Sequence, residues 1–65
     1  MNKEMMIVWY FNQPFTCVFQ VDNKGPFSHQ FYLGDDESDT KENINHKLSP
    51  LVMLELIRQV EEGRS

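Results

Sequence analysis

The sequence predicts an α+β domain: a three-stranded antiparallel β-meander followed by one C-terminal α-helix packed on one sheet face, in the order β-β-β-α. Three observations predict it. Residues 5–34 are apolar, aromatic and β-branched, and alternate about turn signals. Residues 35–47, DDESDTKENINHK, are polar and mostly acidic. Residues 49–63, SPLVMLELIRQVEEG, carry helix punctuation around helically spaced apolar residues.

The strands are expected at 5–11, 15–21 and 27–33. In VDNKGPF, Asp22 suits the first position of a type I turn and Gly25 the left-handed position that follows. Pro26 comes where a missing N–H is tolerated at a strand start. This loop sets Val21 opposite Phe27, Phe19 opposite His29, Cys17 opposite Phe31 and Phe15 opposite Leu33. The first turn, FNQPF, is less definite. Pairing Trp9 with Cys17 and Ile7 with Phe19 keeps like residues together.

Strand side chains alternate between the two faces. The odd-numbered face then collects Ile7, Trp9, Phe11, Phe15, Cys17, Phe19, Val21, Phe27, His29, Phe31 and Leu33, and is the expected core. The even-numbered face collects Met6, Val8, Tyr10, Thr16, Val18, Gln20, Ser28, Gln30 and Tyr32, a mixed surface without a charge.

The helix is expected over 49–63. Ser49 can cap the first turn, Pro50 fits the first helical position, and Gly63 is a natural stop. At 100° per residue, Val52, Met53, Leu56, Ile57 and Val60 share an arc of about 140°, enough to cover a sheet face. Glu55, Arg58, Gln59 and Glu62 lie opposite. Leu51 and Leu54 fall outside the stripe and are candidates to extend an interface or to meet the linker folding back.

Sixty-five residues make one domain, 1–65, with the meander at 5–34, an acidic loop at 35–48 and the helix at 49–63. So short a chain buries only about 60% of its unfolded surface. Small scaffolds add disulfides, metals or partners. The single Cys17 excludes an internal disulfide, and no Cys/His spacing marks structural zinc, so a protein partner or a homodimer is expected and no cofactor. A net charge of −4 with six scattered basic residues argues against direct nucleic-acid binding. The apolar runs are too short for a membrane span, and the N-terminus lacks a signal-peptide cleavage site. A complete, cytoplasmic protein is the expectation, consistent with one lone cysteine.

The chemistry-bearing residues argue against an enzyme. Cys17 and His29 share a face, but among Phe19, Phe31 and Trp9 a thiol is held protonated and inert. Asp35, Glu37 and Asp39 have the alternate spacing of a calcium loop. Thr40 then stands where glycine is needed, and His46 where a bidentate glutamate should close the loop. No small-molecule substrate is implied.

What remains is recognition. Strand 5–11 is long, apolar and uncharged, a strand that natural sheets seldom leave open at an edge. The expected contact surface is Met6, Val8, Tyr10, Thr16, Val18, Gln30 and Tyr32 on the even face, with Asp35, Asp36, Glu37 and Asp39 on the acidic loop. The expected function is a small acidic regulator or inhibitor working by protein–protein binding, of the kind phages and mobile elements use to block a host enzyme. One alternative is a structural subunit that completes a larger sheet. The other is a phosphate-mimicking inhibitor of a nucleic-acid enzyme, which acidic residues at 35–42 would serve.

Overall fold

A computed structural model describes residues 2–35 and 42–64. Three antiparallel strands, β1 (Asn2–Tyr10), β2 (Gln13–Asp22) and β3 (Gly25–Leu33), form one sheet in the order β1-β2-β3. A short 3-10 turn at Asn45–Lys47 leads into one helix, α1 (Pro50–Arg64). The expected β-β-β-α order is therefore the observed one.

The helix begins as its sequence dictates. The Ser49 hydroxyl accepts the Val52 N–H at 3.3 Å, and the Ser49 carbonyl accepts the Met53 N–H at 3.0 Å. The hydroxyl satisfies one otherwise orphaned amide, and the Met53 bond is the first of the regular helical ladder. All five stripe residues face the sheet: Leu56 and Val60 are buried, and Val52, Met53 and Ile57 pack beside them. Leu51 and Leu54 stay exposed, at 79% and 65%. Gly63 does not end the helix. A Cβ there would come within 2.9 Å of the Met6 sulfur, so glycine lets the last turn approach β1 closely. Arg64 then reaches Glu4 across a 3.1 Å ion pair.

The second hairpin keeps its turn but shifts its ladder. The Asp22 carboxylate accepts the Lys24 N–H at 2.8 Å, and Gly25 has φ 118°, as the turn chemistry demands. Phe15–Leu33 and Cys17–Phe31 pair as expected. Val21 instead pairs with Pro26, and Gln20 with Phe27. A β-bulge absorbs the difference, because Phe19 stands opposite both Ser28 and His29. Ser28 carries the bulge at φ 58°. Beyond it Phe27 turns away from the core.

The first hairpin corrects the sequence reading most. Its loop is only Phe11 and Asn12, so Trp9 pairs with Pro14, Val8 with Phe15, Met6 with Cys17 and Glu4 with Phe19. The expected pairs, Trp9–Cys17 and Ile7–Phe19, are displaced by three residues. An odd displacement exchanges the faces of a strand. Val8 is therefore in the core at 1% exposure, and Met6 packs against it, while Trp9 is 47% exposed. Phe11, expected in the core, sits at the hairpin tip at 86% exposure with φ 55°. Leu33, also expected in the core, is 53% exposed at the end of β3.

The core is Val8, Phe15, Cys17, Phe19, Phe31, Leu56 and Val60. Met6, Val21, Ile44, Leu48, Val52, Met53 and Ile57 pack around it. It lies between the sheet and α1, on one side of the sheet only.

Candidate functional site: the open sheet face

Alternation from the observed register puts Lys3, Met5, Ile7 and Trp9 of β1 on the face away from α1. Beside them come Thr16, Val18 and Gln20 of β2, then Tyr32, Gln30 and, past the bulge, Phe27 of β3. Ile7, Val18 and Phe27 are half-buried yet stand outside the set that packs on the core. Six large apolar or aromatic side chains thus share the face that α1 leaves open: Met5, Ile7, Trp9, Val18, Phe27 and Tyr32. Its charges are confined to one end, at Lys3 and at Asp22, whose carboxylate is held by the turn.

Of the expected contact residues, Val18, Gln30 and Tyr32 lie on this face, with Val18 paired to Gln30 and Thr16 to Tyr32. Thr16 shares the face but is 4% exposed, its hydroxyl donating to the Gly34 carbonyl at 2.9 Å. Met6 and Val8 are corrected to the core side, because the shorter turn reversed β1. Tyr10 goes with them: it stands at the end of β1 on the helix side, with its ring edge-on to Phe11 at 4.7 Å. Sequence reading missed Met5, Ile7, Trp9 and Phe27. The first three follow from the two-residue turn at Phe11–Asn12, for which the sequence carries no strong signal.

Asp35 is exposed at the start of the acidic segment. Asp36, Glu37 and Asp39 lie outside the described residues.

Both sheet edges carry covering groups. On β1, the Gln59 side chain accepts the Trp9 N–H at 2.9 Å and donates its own amide to the Trp9 carbonyl at 2.5 Å. On β3, Ile44 N–H donates to the Phe31 carbonyl at 2.9 Å. The Asn45 side chain accepts the Phe31 N–H and donates to the His29 carbonyl, each at 2.8 Å. Asn43 also donates to the Gln30 side chain. A sheet edge is a row of unpaired donors and acceptors that templates aggregation. Here side-chain amides imitate the missing strand. β1 stays uncovered nearer its start, where alternation turns the Met5 and Ile7 backbone outward.

Cys17 and His29 do not form a nucleophilic pair. Burial pushes the Cys17 thiol up to about 12, far from thiolate at neutral pH. The His29 ring lies between Phe19 and Phe31, stacked at 5.8 and 6.4 Å, and its buried Nε2 has no hydrogen-bond partner. Burial holds its pKa below the ordinary value, opposed in part by the Glu61 charge. Among the described residues, no three His, Cys, Asp or Glu side chains gather as a metal site, and no helix is long and apolar enough to cross a membrane.

No protein-family model, curated protein or solved structure matches this chain.

Proposed function

We propose that this protein works by binding other proteins, as a small acidic regulator or inhibitor, and carries out no chemistry of its own. One observation carries the reading: six large apolar or aromatic side chains stand on a sheet face that α1 does not cover. An apolar patch of that kind rimmed by polar residues is the usual mark of an interaction surface. The carboxylates of Glu55, Glu61 and Glu62 lie apart from it, on α1. They suit long-range steering toward a basic partner such as a nucleic-acid-handling enzyme. The free, buried Cys17 suits a reducing compartment such as the cytoplasm.

The test is affinity capture of the tagged protein from its native lysate at about 50 and about 500 mM salt, which brackets strong and weak screening. One stoichiometric protein retained at low salt and lost at high salt is the expected result. Replacing Asp35, Asp36, Glu37 and Asp39 by their amides should weaken that capture at low salt. A partner held equally at both salts would remove the acidic groups from the account. A second reading, that the chain is a subunit of a larger assembly, is favoured by the near absence of charge on the open face.

A further inference from the structure

We infer that the open face is covered by a second copy of this chain, stacked face to face, so that the working unit is a homodimer with two central sheets and two outer helices. This rests on the reading of that face as an interaction surface and names its occupant.

Charge favours a second copy. The chain has a net charge of −4, so two copies repel over most of their surface. On the open face the described residues bring a single carboxylate, Asp22, to such a contact. Glu55, Glu61 and Glu62 are on α1, across the sheet, and Glu4 points to the helix side, where Arg64 holds it. Among the described residues, a partner chosen by charge would find its complement on α1 rather than on this face. The charges the face does carry, Lys3 and Asp22, are of opposite sign.

Area and thickness fit as well. Three strands at ~4.8 Å spacing and nine residues at ~3.3 Å rise give a face of about 14 by 30 Å. The longest dimension of the molecule is 30 Å. Two such faces, with their side-chain relief, hide on the order of 1,000 Å² in total, the size of a weak, reversible interface. Stacked sheets pack ~10 Å apart, which Met5, Ile7, Trp9, Val18, Phe27 and Tyr32 from each copy can fill. Stacking also gives a chain with a one-sided core a second apolar layer.

Edge-to-edge pairing is the weaker arrangement. Gln59 occupies the β1 edge at Trp9, and Ile44 and Asn45 occupy the β3 edge at His29 and Phe31. What is left of β1 offers few backbone groups and leaves the apolar face wet.

Sedimentation from about 5 to about 500 µM tests this, a range that covers the weak, reversible association expected of a small interface. The expected result is a reversible shift from the 7.7 kDa chain to twice that mass. Trp9 emission should move to shorter wavelength over the same range, as its half-exposed ring is buried. Val18→Lys and, separately, Met5→Lys should each hold the chain at monomer mass with a native circular-dichroism spectrum. Leu51→Lys, on the exposed side of α1, should leave the dimer intact. A monomer at all concentrations overturns the inference and leaves hetero-partner binding standing. A dimer that survives Val18→Lys and Met5→Lys in folded chains overturns the face-to-face arrangement. A dimer that captures no salt-sensitive partner sinks the regulator reading and leaves this one intact.

Discussion

The side-chain amide of Gln59 is bound to both backbone groups of Trp9, fifty residues earlier, and so serves as a one-residue strand on the outer edge of β1. The same amide donates to Glu55 at 2.8 Å, and Glu55 holds Arg58 at 2.8 Å. A polar residue on the solvent side of a helix thereby ties that helix to the sheet edge.

Gln59→Ala should remove three hydrogen bonds, two of them to the Trp9 backbone, at a partly exposed site. The expected loss is about 1–2 kcal/mol by urea denaturation, with faster hydrogen exchange at the Trp9 amide. Gln59→Glu keeps the acceptor for the Trp9 N–H but turns a second carboxylate toward Glu55 and the Trp9 carbonyl, and should cost at least as much as Gln59→Ala.

The reversed face of β1 makes a paired prediction. Val8→Ala opens a cavity in the core and should cost about 2 kcal/mol, whereas Ile7→Ala on the open face of the monomer should cost less than ~1 kcal/mol. If Ile7 proved the costlier of the two in dilute solution, the pairing of Val8 with Phe15 in the first hairpin would be wrong.

His29 gives the protein a pH dependence in a defined window. Its pKa in the folded chain is depressed below 6.5 by burial. The unfolded chain therefore takes up a proton first as pH falls. Stability is fully present above 6.5 and is lost as pH drops from there through the folded value. Glu4 and Glu55 are held below their ordinary 4.5 by hydrogen bonds, to Arg64 and to Arg58 with Gln59 respectively, so their contributions fade only under more acid conditions. Urea midpoints between pH 7 and pH 5 should fall in the parent protein. They should be flat in His29→Phe, whose ring can stack between Phe19 and Phe31.

Phe11 holds a left-handed backbone at φ 55° that bulky residues rarely adopt. Phe11→Gly should therefore raise stability by about 1 kcal/mol, read as a higher melting temperature. The edge contact with the Tyr10 ring opposes this. If Phe11→Gly lowered the melting temperature, that ring contact would outweigh the backbone strain.

Local chemistry was readable from the chain alone wherever one residue type has one strong preference. Ser49 and Pro50 start a helix because the first turn needs an acceptor and can spare an N–H. Asp22 and Gly25 make a turn because a short carboxylate and a residue without Cβ fit it. The stripe Val52, Met53, Leu56, Ile57 and Val60 follows from 3.6 residues per turn, and all five face the sheet. Element order and fold class follow from these.

Register did not follow, because strand alternation has a period of two and both faces of β1 are apolar from Met5 onward. Nothing in MMIVWYF distinguishes the odd residues from the even ones, so the loop length decides, and Phe11–Asn12 is no strong turn signal. The β3 bulge at Ser28 and His29 was hidden for the same reason: no glycine marks it. Tertiary structure settled both by choosing the arrangement in which Val8, Phe15, Cys17, Phe19 and Phe31 meet Leu56 and Val60. The sequence by itself determined that this sheet would be poor in charge, although the face expected to carry none holds Lys3 and Asp22 at one end. Which side chains fill that face was decided by a two-residue turn, through the packing of α1 on the other side.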